Sequence, residues 1–192
     1  MNGILVVDAH VHCHADVAPA AFLEAAADNV ARAAVELGRQ PVSAWLLFSE
    51  MPTDHAFAAI AATDRTGDWT IDATEESTAG VARRGDDPPL VLVAGRQIVT
   101  GDGLEILALA TPGPFADGLP IEAGIDAVRA AGGIAVLPWG FGKWWGSRGR
   151  TIDKCLATAE PGELFLGDNG GRLAAAPPPR QFATAERRGV MI

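Results

Sequence analysis

The sequence predicts an α/β fold, built as a distorted or incomplete βα barrel. Short apolar runs that read as buried strands alternate with helical patterns along the 192 residues, which argues for parallel βαβ units. Polar and ionisable clusters fall where the strands end: Asp8 to His14, Glu50 to His55, Glu75-Glu76 and Asp168. A βα barrel gathers its active site at those ends. The first strand is followed by histidines, whereas a doubly wound nucleotide-binding sheet would carry a glycine-rich turn there.

Composition sets the limits. The length suits one domain with a real core, and 48% hydrophobic residues argues against disorder. No apolar run is long enough for a membrane span, and the N-terminus lacks a basic stretch followed by an apolar signal core. A net charge of −9 disfavours a nucleic-acid partner, because phosphate contacts need a basic face. Two cysteines, Cys13 and Cys155, form no disulfide framework. The expectation is a cytoplasmic protein acting on a small molecule, with the oligomeric state left open.

The first element is the strand Ile4-Leu5-Val6-Val7, which runs into Asp8-Ala9-His10-Val11-His12-Cys13-His14. A regular strand alternates faces, so Asp8, His10 and His12 are expected on one face and Val7, Ala9 and Val11 on the other. Imidazoles are good ligands for zinc, manganese and iron, and a neighbouring carboxylate can bind or orient them. The competing reading is a polar strand end with satisfied histidines. Cys13 falls on the apolar face and reads as structural.

Pro19 to Leu37 follows as a helix closed by Gly38, with Phe22, Leu23, Ala26, Val30, Ala33 and Leu37 as its buried stripe. Ser43 to Ser49 is a second strand, and Thr53 or Asp54 can cap a helix through about Ala62. Trp69 to Thr74 is a weaker third strand; Ser77 to Pro89 reads as a surface helix and loop; Leu90 to Ala94 is a strong strand. Ile98 to Thr100 and Leu104 to Ala110 flank Gly101-Asp102-Gly103, a hairpin signal. Ile121, Ile125 and Val128 space a helix ending at Gly132-Gly133, before the strand Ile134 to Leu137. Pro138 to Gly149 is a loop with three tryptophans and four glycines. Leu164 to Leu166 is a short strand leading into Gly167-Asp168-Asn169-Gly170-Gly171-Arg172, and Arg180 to Arg188 is a helix before Val190-Met191-Ile192.

Taken together, D-A-H-V-H at the first strand's end resembles the first motif of the polymerase and histidinol phosphatase (PHP) family, metal-dependent phosphoesterases on a distorted, TIM-like βα barrel. Gly95 to Thr100 with the following hairpin resembles the family's second motif region, and Gly132 to Pro138 the segment before its third. The first motif is shared with the wider amidohydrolase superfamily. Gln97 stands where the family has a metal-binding Glu, Leu137-Pro138 where it has His-Pro, and Asp16 is displaced by one residue from the family's next Asp. The resemblance implies His10 and His12 as metal ligands, with Asp8 as a ligand or orienting group. It implies a divalent metal (zinc, manganese or iron); Gln97 and Leu137 take two ligands from the family's multi-metal set, which leaves open a single-ion site completed by Asp168 or Glu75. It also expects a further strand after Val190, carrying a last motif, so the barrel would lack its final elements and show an open edge beside the first strand.

The remaining candidates follow from position. Asp168 can face the strand end as a base, or can simply belong to its turn. Lys143, Arg148 and Arg150 can gather a substrate phosphate, or can be solvated loop residues. Trp139, Trp144 and Trp145 can form a lid or pack as core. Glu50 and Glu75 stand out by position alone, and His55, which follows a strand but starts a helix, reads as an exposed histidine. The functional expectation is a metal-dependent hydrolase, a phosphoesterase first and a C–N or C–O hydrolase second, with a catalytically silent binding or structural module as the alternative.

Overall fold

The protein is described by a computed structural model covering residues 3–168, 172 and 176–192. The chain divides into two compact units, Met1–Arg96 and Gln97–Ile192.

The first unit opens with a βαβ unit: β1 (Gly3–Val11), α1 (Pro19–Glu36) and β2 (Gln40–Phe48), the two strands pairing in parallel. Pro19 suits the first turn of α1, where its missing N–H is no loss. Gly38, with φ +63°, follows the helix in the left-handed conformation that suits a helix stop. There follow α2 (Ala56–Ala61), β3 (Arg65–Thr66), β4 (Trp69–Ala73), β5 (Ala79–Arg83) and β6 (Leu90–Val93). The sheet order is β1-β2-β6-β5-β4-β3, parallel from β1 to β6 and antiparallel from β6 to β3. Ala44, Leu46 and Phe48 alternate into a core shared with Leu23 and Val30 of α1, Phe57 and Ile60 of α2, and Leu90 and Leu92 of β6. On the opposite face Val7 pairs with Trp45 and stays half-exposed, as Leu5 does.

The second unit is entered through β7 (Gly95–Val99) and holds β8 (Glu105–Leu109), α3 (Ile121–Ala130), β9 (Ile134–Pro138), α4 (Gly146–Thr158), β10 (Phe165–Gly167) and α5 (Arg180–Arg188). Its sheet order is β10-β9-β8-β7, with β8 and β9 antiparallel and β9 and β10 parallel. The turn before β8 is pinned by Thr100. Its hydroxyl donates to Asp102 and accepts from the Leu104 N–H at 3.0 Å, while Gly103 takes φ +75°. Ile106, Ala108, Leu137, Ile152, Leu156 and Phe182 belong to the unit's core.

The barrel expectation is overturned. The described residues form two mixed sheets, of six and four strands, with five helices and no closed barrel; a (β/α)₈ barrel needs eight βα units. The reason is local. Ser77 to Pro89, expected as helix and loop, contains β5, which pairs antiparallel with both β4 and β6. Antiparallel neighbours joined by short turns replace the crossover helices that a parallel barrel requires. The helix α4 forms where no helix is expected, because its glycines at 146 and 149 argue for loop.

The expected strand from Val190 takes another form. Val190 is buried in the second unit's core, and the Leu166 N–H donates to the Met191 carbonyl at 3.0 Å, which sets the last residues beside β10. β1 is the outermost strand of its own sheet.

Candidate functional site

The candidate site begins at the C-terminal end of β1. The register pairs Asp8 with Leu46 and Val11 with Phe48, so β1 takes three steps where β2 takes two. One extra residue is therefore accommodated between Asp8 and Val11, a β-bulge. Its consequence is read from the core: Val6 packs against the α1-side core and Val11 lies within it, five positions away. Regular alternation would put residues an odd number apart on opposite faces. His10 and His12 flank Val11 and project on the other side, with ring centroids 4.9 Å apart and planes at 55°. His14 stacks on His12, with centroids 6.1 Å apart and planes at 7°.

The expected trio of Asp8, His10 and His12 is thus split. The bulge leaves Asp8 on the Val6 side by register, and its carboxylate Oδ1 accepts the His10 backbone N–H at 3.2 Å. A one-residue slip exchanges faces for everything beyond it. Among the described residues, no group of three or more His, Cys, Asp or Glu side chains is arranged to hold a metal ion. His10 and His12 remain as a two-imidazole pair.

Beside them lies the end of β2. The Ser49 N–H donates to the Val11 carbonyl at 2.8 Å, carrying the pairing past the strand. Glu50 is buried, at 7% exposure, and bridges to Arg96. Its Oε1 accepts the Phe57 N–H at 2.7 Å, in the first turn of α2, and its Oε2 lies 3.9 Å from the Arg96 guanidinium. Arg96 donates to the carbonyls of Met51 and Asp54, at 2.9 Å each. This carboxylate–guanidinium pair fixes the loop from Met51 to His55 and the start of α2. Cys13 is buried in the same region. Burial pushes its thiol up first, and the charges of Glu50 and then Asp54 push in the same direction. The Ser49 hydroxyl is buried with no hydrogen-bond partner among the described residues. In sequence Glu50 stands out by position alone; the signal that could have marked it is its place directly after an apolar strand and before a helix whose first turn it caps.

The other candidates belong elsewhere. Asp168 lies in the second unit and forms a forked pair with Arg172, at 2.6 Å to Nη2 and 3.1 Å and 3.2 Å to Nε. That hydrogen bonding holds the Arg172 guanidinium above its ordinary value. Asn169, Gly170 and Gly171 lie outside the described residues. Lys143 is ion-paired with Glu105, and Arg148 donates to the Gly142 carbonyl at 3.1 Å. Arg150, Glu75 and His55 are exposed. Trp139 and Trp144 are buried, while Trp145 is 63% exposed. Leu137, where the resembled family has a histidine, is wholly buried in the second unit's core, and Gln97 is half-buried on β7.

Among the described residues, no helix is long and apolar enough to cross a membrane. Compared with protein-family models, with curated proteins and with solved structures, the chain matches none.

Proposed function

We propose that the chain is a metal-dependent hydrolase of the PHP type acting on phosphate esters, with His10 and His12 as its metal-binding residues. The observation that carries this reading is the pair of imidazoles at the end of a parallel strand, centroids 4.9 Å apart. The donor chemistry fits: two imidazoles suit a single zinc, manganese or iron ion, the other positions being left to water and substrate. A metal held there supplies Lewis acidity and brings the pKa of water towards neutrality. Asp8 positions the first ligand by holding the His10 backbone N–H. The buried Glu50–Arg96 pair fixes the loop that follows β2, the strand paired with β1.

A second reading, a binding module without turnover, is favoured by the partners of the expected catalytic groups. Lys143 is held by Glu105, Arg148 by the Gly142 carbonyl and Asp168 by Arg172. Each of the three already has a protein partner.

The test is an activity panel. Chain stripped with chelator and reloaded with Zn²⁺ or Mn²⁺ is assayed on p-nitrophenyl phosphate, bis-p-nitrophenyl phosphate and a set of amides and lactones. Metal-dependent phosphate release that disappears in the His10→Ala/His12→Ala variant supports the hydrolase. Metal binding without turnover supports the second reading. Turnover of amides or lactones alone moves the reaction to carbon centres. Equal activity in the double variant overturns the site.

A further inference from the structure

The second unit contains a cavity of about 440 Å³ lined in part by Trp139, Trp144 and Trp145, the tryptophans expected as a lid or as core. Pockets for small molecules typically hold about 300–1,000 Å³.

The lining is strongly aromatic. Trp139 and Trp144 line it as buried side chains, and Trp144 is braced edge-on by Phe182, with centroids 5.9 Å apart and planes at 88°. Phe141 and Trp145 line it as an exposed pair, in edge contact with centroids 5.2 Å apart. At 79% and 63% exposure, these two rings form the outer part of the lining. Large exposed aromatics at a concave site offer flat faces on which another ring can stack.

Arg172 and Arg180 line the cavity, and among the described residues no Asp or Glu lines it, although Asp168 forks onto Arg172 and Asp153 pairs with Arg180 from outside the lining. Arg180 is tied to Asp153 through a single terminal nitrogen, and its side chain is 73% exposed. Such exposed pairs contribute little, and a guanidinium has five donors, so Arg180 has bonding capacity left for a ligand. Both α4 and α5 begin at the cavity: Trp145 precedes the first, and Pro179, Arg180 and Gln181 open the second. Neither helix has a capping side chain, and neither carries an acidic residue in its first turn. Two helix starts add partial positive charge beside Arg180, in a chain whose net charge is −9.

We propose that this cavity binds a small planar aromatic anion, an aryl or heteroaryl carboxylate or phosphate. The ring stacks against the tryptophans, and the anionic group lies towards Arg180 and the helix starts. The site is confined to the second unit and stands whether or not the histidine pair is catalytic.

Calorimetric titration of the full chain with four probes tests this: 2-naphthoate, neutral 2-naphthalenemethanol, cationic 2-naphthylmethylammonium and the aliphatic anion cyclohexanecarboxylate. The expected result is saturable 2-naphthoate binding at one site per chain, with each of the other three at least about tenfold weaker. Trp145→Ala and Arg180→Gln, both at exposed positions, should each weaken 2-naphthoate by about 3- to 10-fold while leaving the melting temperature within a few degrees. The proposal is overturned if 2-naphthoate gives neither saturable heat nor a rise in melting temperature at millimolar concentration. It is equally overturned if the ammonium probe binds as tightly, or if both variants bind like the parent.

Discussion

His10 and His12 lie ring to ring, centroids 4.9 Å apart, on the side of β1 away from Val11, while Asp8 is separated from them by the bulge. The carboxylate therefore acts on the backbone: it accepts the His10 N–H rather than facing the imidazoles as a third ligand. Asp8→Ala should lower stability by about 0.5–1 kcal/mol, the net worth of one exposed hydrogen bond, and should keep most of the metal-induced rise in melting temperature. Thermal melts with and without Zn²⁺ check this. A complete loss of the metal response in Asp8→Ala would return Asp8 to the ligand set.

The Glu50–Arg96 pair makes a sharper stability prediction. Glu50→Ala removes the acceptor of the Phe57 N–H and leaves Arg96 without its carboxylate in a largely buried setting. The expected loss is about 2–4 kcal/mol by urea denaturation. Arg96→Ala should destabilise by a similar amount, since it frees two carbonyls and strands Glu50. The double variant should fall short of the sum of the two, because the pair shares one interaction.

How much of this was legible in the sequence depends on which physical signal carried it. The helix Pro19–Glu36 was legible because its start residue, apolar stripe and closing Gly38 all agree. Arg180–Arg188 was legible for the same kind of reason, with Gly189 at φ +71° closing it. β5 was missed because Ala79-Gly80-Val81-Ala82-Arg83 has little strand propensity; its neighbours β4 and β6 make it a strand. The face shared by Asp8 and His10 was misjudged because alternation assumes a regular strand, and nothing in D-A-H-V-H announces an extra residue. Glu50 could be placed at a strand end, but its partner Arg96 lies 46 positions on, in a contact that no local pattern reports.

The buried thiols predict an alkaline weakness. Burial pushes the Cys155 thiol up to about 11, helped by the charges of Glu122 and then Asp102. Below the thiol's ordinary value both the folded and unfolded chains hold the proton, and this stabilising contribution is fully present. Above it the unfolded chain releases a proton that the folded chain keeps, so stability falls as pH rises and levels off near about 11, where the folded thiol ionises too. Each such group contributes a slope of up to about 1.4 kcal/mol per pH unit. Cys155→Ala should be less stable at neutral pH, through lost packing, yet show a shallower alkaline decline in urea melts. An unchanged slope would mean that other groups set the decline.

The open face of β1 predicts tolerance with a change in behaviour. Leu5 and Val7 are each 50% exposed on the outermost strand of the sheet. Exposed apolar edge strands promote association between chains, and lysine there suppresses it. Leu5→Lys and Val7→Lys should each change stability by no more than about 0.5 kcal/mol and should lower light scattering during a thermal ramp. A loss of several kcal/mol would show that this face is packed more tightly than its exposure indicates.

Isothermal titration of the chelator-stripped chain with Zn²⁺ tests the central claim most directly. The account predicts one ion per chain, and a stabilisation of about 2.7 kcal/mol when free metal reaches a hundredfold excess over Kd. His14→Ala should retain binding, since its ring stacks beyond His12 rather than joining the close pair. His10→Ala/His12→Ala should abolish both the heat and the stabilisation. Binding of one ion with unchanged affinity in that double variant would contradict the account and place the metal elsewhere in the chain.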